Sequence, residues 1–281
     1  MFNTNYHSHS KYCRHALGEL REYAQEAVHA GLAEIGISDH IPLSENAKKV
    51  LAPYIRHSGS LQLRMDSSDL PLYLNDVAGV KSEFKSRLNV LAGFESEFNE
   101  FDSDYYRQIK SNVDYLNLGI HYVYRGGIFY DFMGNKVHEV LRVRRVEKKD
   151  VRAYVENCIA ALDSKLFKQM VHPDVFMRCL REEEFDFQLE EYSRAIIESA
   201  VKNEVYLEIN TSDVFRAKAE SRKARYPSEK FWKIAAEYKN VLILAGTDAH
   251  EPERIADFQK EFLTDFMQRL NLKIQSSMDV R

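Results

Sequence analysis

The chain opens with Phe2-Asn3-Thr4-Asn5-Tyr6-His7-Ser8-His9. Residues 2–7 of this stretch are a β-type run that ends at His7, and a second histidine, His9, follows two residues later. Residues i and i+2 of a strand point to the same face, so the imidazoles of His7 and His9 can face one ion. In parallel α/β folds the active site lies where the strands end, because the loops after the strands converge there. The opening therefore predicts a first strand that carries two metal-type ligands to such a site.

Further β-type runs alternate with helical stretches along the 281 residues, which is typical of βα units and a parallel sheet. The predicted strands are residues 2–7, 33–38, 89–95, 115–120, 167–171, 205–209 and 241–245. The predicted helices are residues 18–29, 76–87, 102–110, 151–163, 186–203, 231–238 and 254–270. Residues 41–75 and 124–145 are interpreted as two loop insertions. Seven such units favour a closed α/β barrel over its rival, an open doubly wound sheet.

Metal-type side chains occur at the carboxyl end of nearly every predicted strand. They are His7, His9, His40, Glu95, His121, His172, Asp248 and His250. A lone histidine is more often a packed or solvated residue than a ligand. Eight such residues at the same end of the strands are hard to explain in that way, and Asp248 and His250 repeat the two-residue spacing. We therefore expect one metal site assembled from distant parts of the chain.

Glu95 ends the otherwise apolar run Val90-Leu91-Ala92-Gly93-Phe94-Glu95. A buried carboxylate is costly unless it is paired or bound to a metal, and its two oxygens can bridge two ions. Imidazoles and carboxylates together suit zinc, manganese or iron. The chain has three scattered cysteines, too few for a thiolate site or a disulfide framework.

The composition excludes several classes of function. The formal net charge of −4 argues against long nucleic acid and against a membrane surface, since both require basic faces. No apolar run approaches the length of a membrane span, and the first residues lack a signal pattern. We expect a single cytoplasmic domain over residues 1–281 that acts on a small molecule; the sequence leaves its oligomeric state open.

The sequence also resembles a known family. The run Tyr6-His7-Ser8-His9-Ser10-Lys11-Tyr12-Cys13-Arg14-His15-Ala16 resembles the opening motif of the polymerase and histidinol phosphatase (PHP) superfamily. It is most similar to the histidinol-phosphate phosphatase branch, in which a cysteine and a His-Ala pair follow the first His-x-His. The resemblance continues in order through Ile37-Ser38-Asp39-His40, Gly93-Phe94-Glu95, Gly119-Ile120-His121, Val171-His172-Pro173-Asp174, Glu208-Ile209-Asn210-Thr211 and Gly246-Thr247-Asp248-Ala249-His250.

This resemblance implies a distorted (β/α)7 barrel with three divalent ions. It assigns His7, His9, Glu95 and Asp248 to the first ion; Glu95, His121 and His172 to the second; and His15, His40 and His250 to the third. His15 enters through the resemblance alone, because periodicity does not select it. Ser10 is a departure, since many members carry threonine there; we expect no effect on metal binding.

The activity implied is hydrolysis of L-histidinol phosphate to L-histidinol and phosphate, a step of histidine biosynthesis. The expected nucleophile is a hydroxide that bridges two ions and is held by Glu95, with Asp248 or His250 as candidate acids. Arg216 and then Arg178 are the candidates for binding the phosphate, because a guanidinium offers a planar fork of donors.

Three acidic residues are candidates for the amine and imidazole of the substrate: Glu97, Asp213 and, as an alternative, Asp174. Two other functions stay open. One is a PHP phosphoesterase that acts on a nucleotide, a phosphotyrosine or a phosphodiester. The other is a metal-binding module without catalysis.

Overall fold

Strands and helices alternate along residues 2–133, 143–144 and 146–280, the part of the chain that this computed structural model describes. The strands are β1 (Thr4–Asn5), β2 (Glu34–Ile37), β3 (Asn89–Ser96), β4 (Tyr115–Leu118), β5 (Tyr122–Arg125), β6 (Ile128–Asp131), β7 (Val143–Arg144), β8 (Gln169–Met170), β9 (Tyr206–Asn210) and β10 (Ile243–Gly246). The α-helices are α1 (Leu20–His29), α2 (Glu45–Val50), α3 (Ala52–Ile55), α4 (Gly59–Gln62), α5 (Leu70–Phe84), α6 (Ser103–Lys110), α7 (Val151–Asp163), α8 (Phe187–Lys202), α9 (Ser212–Ala219), α10 (Glu229–Ala235) and α11 (Lys260–Leu270).

Seven parallel strands form a nearly closed barrel in the order β1-β2-β3-β4-β8-β9-β10. This order follows the chain without the reversal that marks a doubly wound sheet. The first and last strands meet beyond their ends, where Ser8 forms a parallel bridge with Ala249. The backbone N–H of His9 donates to the Ala249 carbonyl oxygen at 2.8 Å. The predicted seven-unit barrel is confirmed.

The barrel interior changes from apolar to polar along the strand direction. Alternate residues of a strand share one face, so Leu91, Gly93 and Glu95 of β3 all point inward. On β9 the same alternation takes Tyr206 and Glu208 inward. Leu91 and Tyr206 belong to an apolar cluster at the amino ends of the strands. Apolar side chains thus fill the barrel at the amino ends of its strands, and the buried carboxylates lie towards the carboxyl ends.

Helices cover the outside of the barrel with one apolar face each. In α1 the buried residues Leu20, Tyr23, Ala24 and Ala27 follow the spacing of a single helical face. This helix begins at a capping box formed by Glu19 and Glu22, and Gly31 follows its end with a φ of +74°.

The two predicted loop insertions contain regular structure. Residues 41–75 include α2, α3, α4 and the start of α5, which begins at Leu70 because Pro71 is tolerated in the first turn of a helix. In the second insertion β5 and β6 form an antiparallel hairpin whose turn, Gly126-Gly127, has φ values of +59° and +76°. Residues 134–142 and 145 of that prediction lie outside the described residues.

Other elements also differ from the prediction; the first strand, for example, spans Thr4–Asn5 instead of residues 2–7. The closing helix begins at Lys260 instead of residue 254, because a short 3₁₀ turn, Pro252–Arg254, precedes it. Helix α9 was not predicted at all. Among the described residues, no helix is both long enough and apolar enough to cross a membrane.

Candidate metal centre

Glu95, near the end of β3, lies at the centre of the expected ligands and is 1% exposed. Its Oε2 lies 3.4 Å from Nε2 of His7, 3.2 Å from Nε2 of His9 and 3.2 Å from Nδ1 of His40. Within the described residues none of these three buried nitrogens makes a hydrogen bond. A buried polar atom without a partner costs about 1–3 kcal/mol, so the cluster is suited to a cation that all three nitrogens can bind.

The other oxygen of Glu95 faces a second group of imidazoles. Its Oε1 lies 3.0 Å from Nε2 of His172 and 3.4 Å from Nε2 of His121. A Cβ atom at Gly119 would lie 1.9 Å from this oxygen, so only glycine leaves room for the carboxylate. The two oxygens thus face two sets of nitrogens, as a carboxylate that bridges two ions would.

Asp248, which follows β10, completes the first group. Its Oδ1 lies 3.2 Å from Nε2 of His9 and 3.5 Å from Nε2 of His7, while its Oδ2 accepts a hydrogen bond from Ser212 at 3.0 Å. Asp248 and His172 both have positive φ, 50° and 33°. Such backbone is uncommon outside glycine and occurs often at functional sites.

His15 and His250 form a third group at the rim. Their Nε2 atoms lie 2.9 Å apart. The Nδ1 of His15 lies 2.7 Å from the Cys13 carbonyl oxygen, and the Nδ1 of His250 lies 2.8 Å from the Asp248 carbonyl oxygen. A carbonyl only accepts, so each Nδ1 carries the proton and the two Nε2 lone pairs face each other. The ring of His40 stacks on that of His15, with centroids 5.5 Å apart. The structure therefore brings all nine predicted ligand residues together.

Glu208 is a buried residue of this centre whose role the sequence did not predict. Both its oxygens lie close to Nδ1 of His7, at 2.9 and 3.0 Å, and Oε2 also accepts from Nδ2 of Asn210 and the backbone N–H of His172. Holding Nδ1–H of His7 in this way leaves Nε2 free for a metal. The signal that could have revealed Glu208 is an acidic residue inside the apolar strand Tyr206–Asn210.

Cys13 and Asp39 hold the backbone around His9 and His40. The sulfur of Cys13 lies 3.4 Å from Nδ1 of His9 and accepts the backbone N–H of His40 at 2.8 Å. Asp39 accepts both the N–H and the hydroxyl of Ser10, at 2.7 and 2.6 Å. The motif residues around the histidines thus support the ligands, and the serine at position 10 fills a structural role.

Glu97, a predicted substrate contact, lies between a histidine and an arginine of the protein. This residue is 3% exposed, and its two oxygens accept hydrogen bonds from His121 and Arg64. It would share the face of Glu95 only if the strand continued, and β3 ends at Ser96, one residue earlier. A contact of Glu97 with the substrate stays a prediction.

The two other acidic candidates are also buried. Asp213, in the first turn of α9, is 3% exposed, and it accepts from the guanidinium of Arg222 and from the backbone N–H of Arg225. Asp174 is fully buried and accepts the backbone N–H of Ser228. Contacts of either carboxylate with a substrate stay predictions.

Neither candidate phosphate-binding arginine forms an ion pair with a carboxylate among the described residues. Arg216 of α9 donates to the hydroxyls of Ser212 at 3.0 Å and Tyr226 at 3.2 Å. Because Ser212 also donates to Asp248, one hydroxyl separates the guanidinium from a predicted ligand. Arg178 instead reaches the sulfur of Met133 at 3.5 Å. Arg216 is thus tied to the centre, whereas Arg178 is tied to the end of the second insertion's hairpin.

The electrostatics of the metal-free centre set the charges of its groups. Burial opposes charge on Glu95 and Asp248, but the surrounding histidines outweigh it and hold both pKa values well below the ordinary range. Burial likewise lowers the pKa of His7, yet Glu208, Asp248 and Glu95 together raise it well above its ordinary value. Burial also lowers the pKa of His9, but the carboxylates of Asp248 and Glu95, each 3.2 Å from its Nε2, outweigh burial and raise this pKa to about 9. The carboxylates therefore stay ionised and attract cations.

His250 differs from these histidines. Burial is the main cause that lowers its pKa to about 3; Asp248 opposes this effect, and the neighbouring His9 and His15 add to it. The ring is therefore neutral near pH 7, with its Nε2 lone pair free to bind a cation.

Comparisons with known proteins agree with this architecture. A family model described as "PHP domain" matches residues 5–212. The chain is 27% identical over 265 residues to the "Probable histidinol-phosphatase" of Deinococcus radiodurans, covering 91% of this chain and 90% of that protein. It is 21% identical over 272 residues to the histidinol-phosphatase of Bacillus subtilis, covering 92% of this chain and 97% of that protein.

A solved structure of similar fold is the histidinol phosphate phosphatase of Lactococcus lactis, complexed with zinc, L-histidinol and phosphate. The TM-score is 0.71 at 19% sequence identity, with 99% of this chain and 98% of that chain covered. The likeness extends over both chains almost completely, so the two chains share one fold.

Proposed function

The chain belongs to the PHP domain family, and from this premise we propose that it is a metal-dependent phosphomonoesterase that converts L-histidinol phosphate to L-histidinol and phosphate. The observation that carries the proposal is the position of Glu95, whose two oxygens face five imidazoles within 3.5 Å. The names of the two sequence relatives support the choice of substrate.

The donor set fits divalent ions, because its unpaired buried nitrogens and ionised carboxylates need positive charge. We propose three ions of zinc, iron or manganese, held as follows: His7, His9, Glu95 and Asp248 for the first; Glu95, His121 and His172 for the second; His15, His40 and His250 for the third. Bound ions of this kind neutralise phosphoryl oxygens and lower the pKa of water, which supplies hydroxide at neutral pH. Glu95 would be a ligand of both of the first two ions.

The chain's own cations complete the site. Arg216 reaches the centre through Ser212, and we propose that it binds the non-bridging phosphate oxygens, with Arg178 as a second and more distant donor. The acid that protonates the leaving alkoxide is neither Asp248 nor His250 in this proposal. The lowered pKa of Asp248 leaves it ionised, and the ring proton of His250 is donated to a carbonyl oxygen. Both are assigned as ligands.

The substrate class follows from charge and size. The formal net charge of −4 argues against a nucleic-acid backbone as the partner and supports a small phosphorylated metabolite. We propose one catalytic domain over residues 1–281. The three free cysteines support a reducing compartment such as the cytoplasm.

Metal analysis and two assays test this function. The chelated protein should regain turnover of L-histidinol phosphate on addition of zinc or manganese, and the E95Q variant should not. Bis-p-nitrophenyl phosphate should be a poor substrate. Diesterase activity alone would favour a different PHP phosphoesterase. Tight metal binding with no turnover on nucleotides, phosphotyrosine or histidinol phosphate would favour a module without catalysis.

A further inference from the structure

The first insertion, residues 41–75, contains a buried arginine whose contacts lead to a predicted metal ligand. Arg64 follows α4 and is 4% exposed, although arginine is rarely buried without a partner. Its Nε donates to the Ser60 carbonyl oxygen at 2.6 Å, which fixes the side chain to its own helix turn. The guanidinium also lies over the ring of Tyr122, 5.8 Å from the centroid. These two contacts define the direction of the side chain.

The partner of Arg64 is the carboxylate of Glu97. Nη2 of Arg64 lies 2.5 Å from Oε1 of Glu97, and both side chains are almost completely buried. A buried ion pair of this kind adds little net stability, because desolvation of both charges offsets their attraction. Stability alone is thus a poor reason for a charge pair at this position, 33 residues apart in the chain.

Glu97 in turn holds His121 at two points. Oε1 lies 2.8 Å from Nδ1 of His121, and Oε2 accepts the backbone N–H of the same residue at 2.8 Å. A carboxylate at Nδ1 fixes the proton there and turns the Nε2 lone pair outward. That Nε2 is the atom that lies 3.4 Å from Oε1 of Glu95. A series of contacts therefore links Arg64 through Glu97 to His121, a predicted metal ligand.

We propose that Arg64 is a positioning residue for the ion that His121 holds, so that the first insertion controls the occupancy of this ion. The inference rests on the proposed metal centre. Without Arg64, the carboxylate of Glu97 loses its neutralising partner, and its hold on the ring of His121 loosens. Loss of such an outer partner typically costs about 10–100-fold in metal affinity. The other ions, which rely on Glu208, Asp248 and His250, should be unaffected.

The test compares zinc binding by the full-length protein and three variants. R64M should lose about 10–100-fold in affinity for one zinc equivalent while it keeps the others. R64K keeps the positive charge but not the planar guanidinium, and its affinity for this zinc equivalent should lie between that of R64M and that of the unaltered protein. The matched control is R222M, which also strips a guanidinium from a buried carboxylate, that of Asp213, outside the predicted ligand set. R222M should bind zinc like the unaltered protein.

Nitrogen NMR of the zinc-loaded protein supplies a second readout. The ring of His121 should be a single Nδ1–H tautomer in the unaltered protein and a mixture in R64M. Unchanged zinc affinity and tautomer in R64M would overturn the inference, as would an equal loss of every zinc equivalent. If R64M does not fold, R64K takes its place, and an unaltered affinity in that variant is the negative result. If the unaltered protein binds no zinc, the proposed function fails first and the inference with it.

Discussion

His15 and His250 face each other through nitrogen lone pairs, with their Nε2 atoms 2.9 Å apart and their ring protons turned away to carbonyl oxygens. Two lone pairs at this distance repel one another unless a cation lies within reach of both. His15 follows Arg14, whose φ of +62° reverses the chain after a short 3₁₀ turn. The fold thus accepts an uncommon backbone conformation in order to bring these two rings together.

The first prediction concerns this pair. The H15A variant should lose one equivalent of bound metal and retain the equivalents around Glu95, because His15 makes no contact with that carboxylate within the described residues. Elemental analysis after dialysis measures the difference. His29, an exposed histidine of α1, offers the matched control H29A. Full metal content in H15A would show that the two lone pairs serve another purpose.

Glu208 provides the second prediction. E208Q keeps the shape of the side chain, but it places an amide N–H among groups that already donate to this position, from Asn210 and the backbone of His172. Metal affinity should fall by about 10–100-fold, as expected for the loss of a carboxylate behind a ligand histidine. Competition with a chromophoric chelator measures it. The control is E229Q, in an exposed ion pair with Lys233. Equal affinities of E208Q and the unaltered protein would refute the role of Glu208.

Some of this site could be predicted from the sequence, and physical reasons explain the rest. Strand alternation placed His7 and His9 on one face, and the convergence of parallel strands placed Glu95 among them. These rules hold because a strand has a fixed geometry. These rules did not select His15, whose position depends on a single left-handed residue in a loop.

Supporting residues were harder to predict than ligands. Arg64 lies in an insertion with short helices and no long hydrophobic period, so nothing in the local pattern indicated that its side chain is buried. Glu208 was visible as part of a motif, but its partner lies 201 residues away in the chain. Long-range pairs of polar groups appear only when the barrel is closed.

The third prediction concerns Gly119, which leaves no room for a side chain beside Glu95. G119A would put a Cβ 1.9 Å from Oε1 of Glu95, so the carboxylate must move and metal-dependent turnover should fall at least 10-fold, as estimated from the loss of an oriented ligand. The control is G79A in α5, where nothing lies within 4 Å of the new Cβ. That substitution should leave activity unchanged and stabilise the helix by about 0.5–1 kcal/mol. Phosphatase assays and thermal unfolding of both variants give the comparison, and a fully active G119A would contradict it.

The pH dependence of metal binding is the fourth prediction. In the metal-free protein the pKa of His9 is raised to about 9 and that of His7 lies well above its ordinary value. Both rings therefore carry a proton at pH 7, and a metal must displace it. Affinity should rise with pH from 6 to 9, and calorimetry in buffers of different ionisation enthalpy should detect proton release. Binding that is independent of pH over this range would show that neither ring carries a proton that the metal must displace.

The last prediction assigns phosphate binding to Arg216 and tests the proposed substrate contact directly. Its guanidinium donates to Ser212 and Tyr226, and among the described residues it forms no ion pair with a carboxylate, so its charge remains available for an anion. A hydrogen bond to a charged group contributes about 1.5–3 kcal/mol, which corresponds to roughly 10–100-fold in affinity. R216M should therefore raise the KM for histidinol phosphate and the inhibition constant of inorganic phosphate by about this factor. Metal content should stay unchanged, because Arg216 reaches Asp248 only through a hydroxyl.

R178M should have a smaller effect, since Arg178 lies against Met133. If R216M binds inorganic phosphate as tightly as the unaltered protein, while R178M does not, the two arginines exchange roles and the phosphate lies closer to the second insertion.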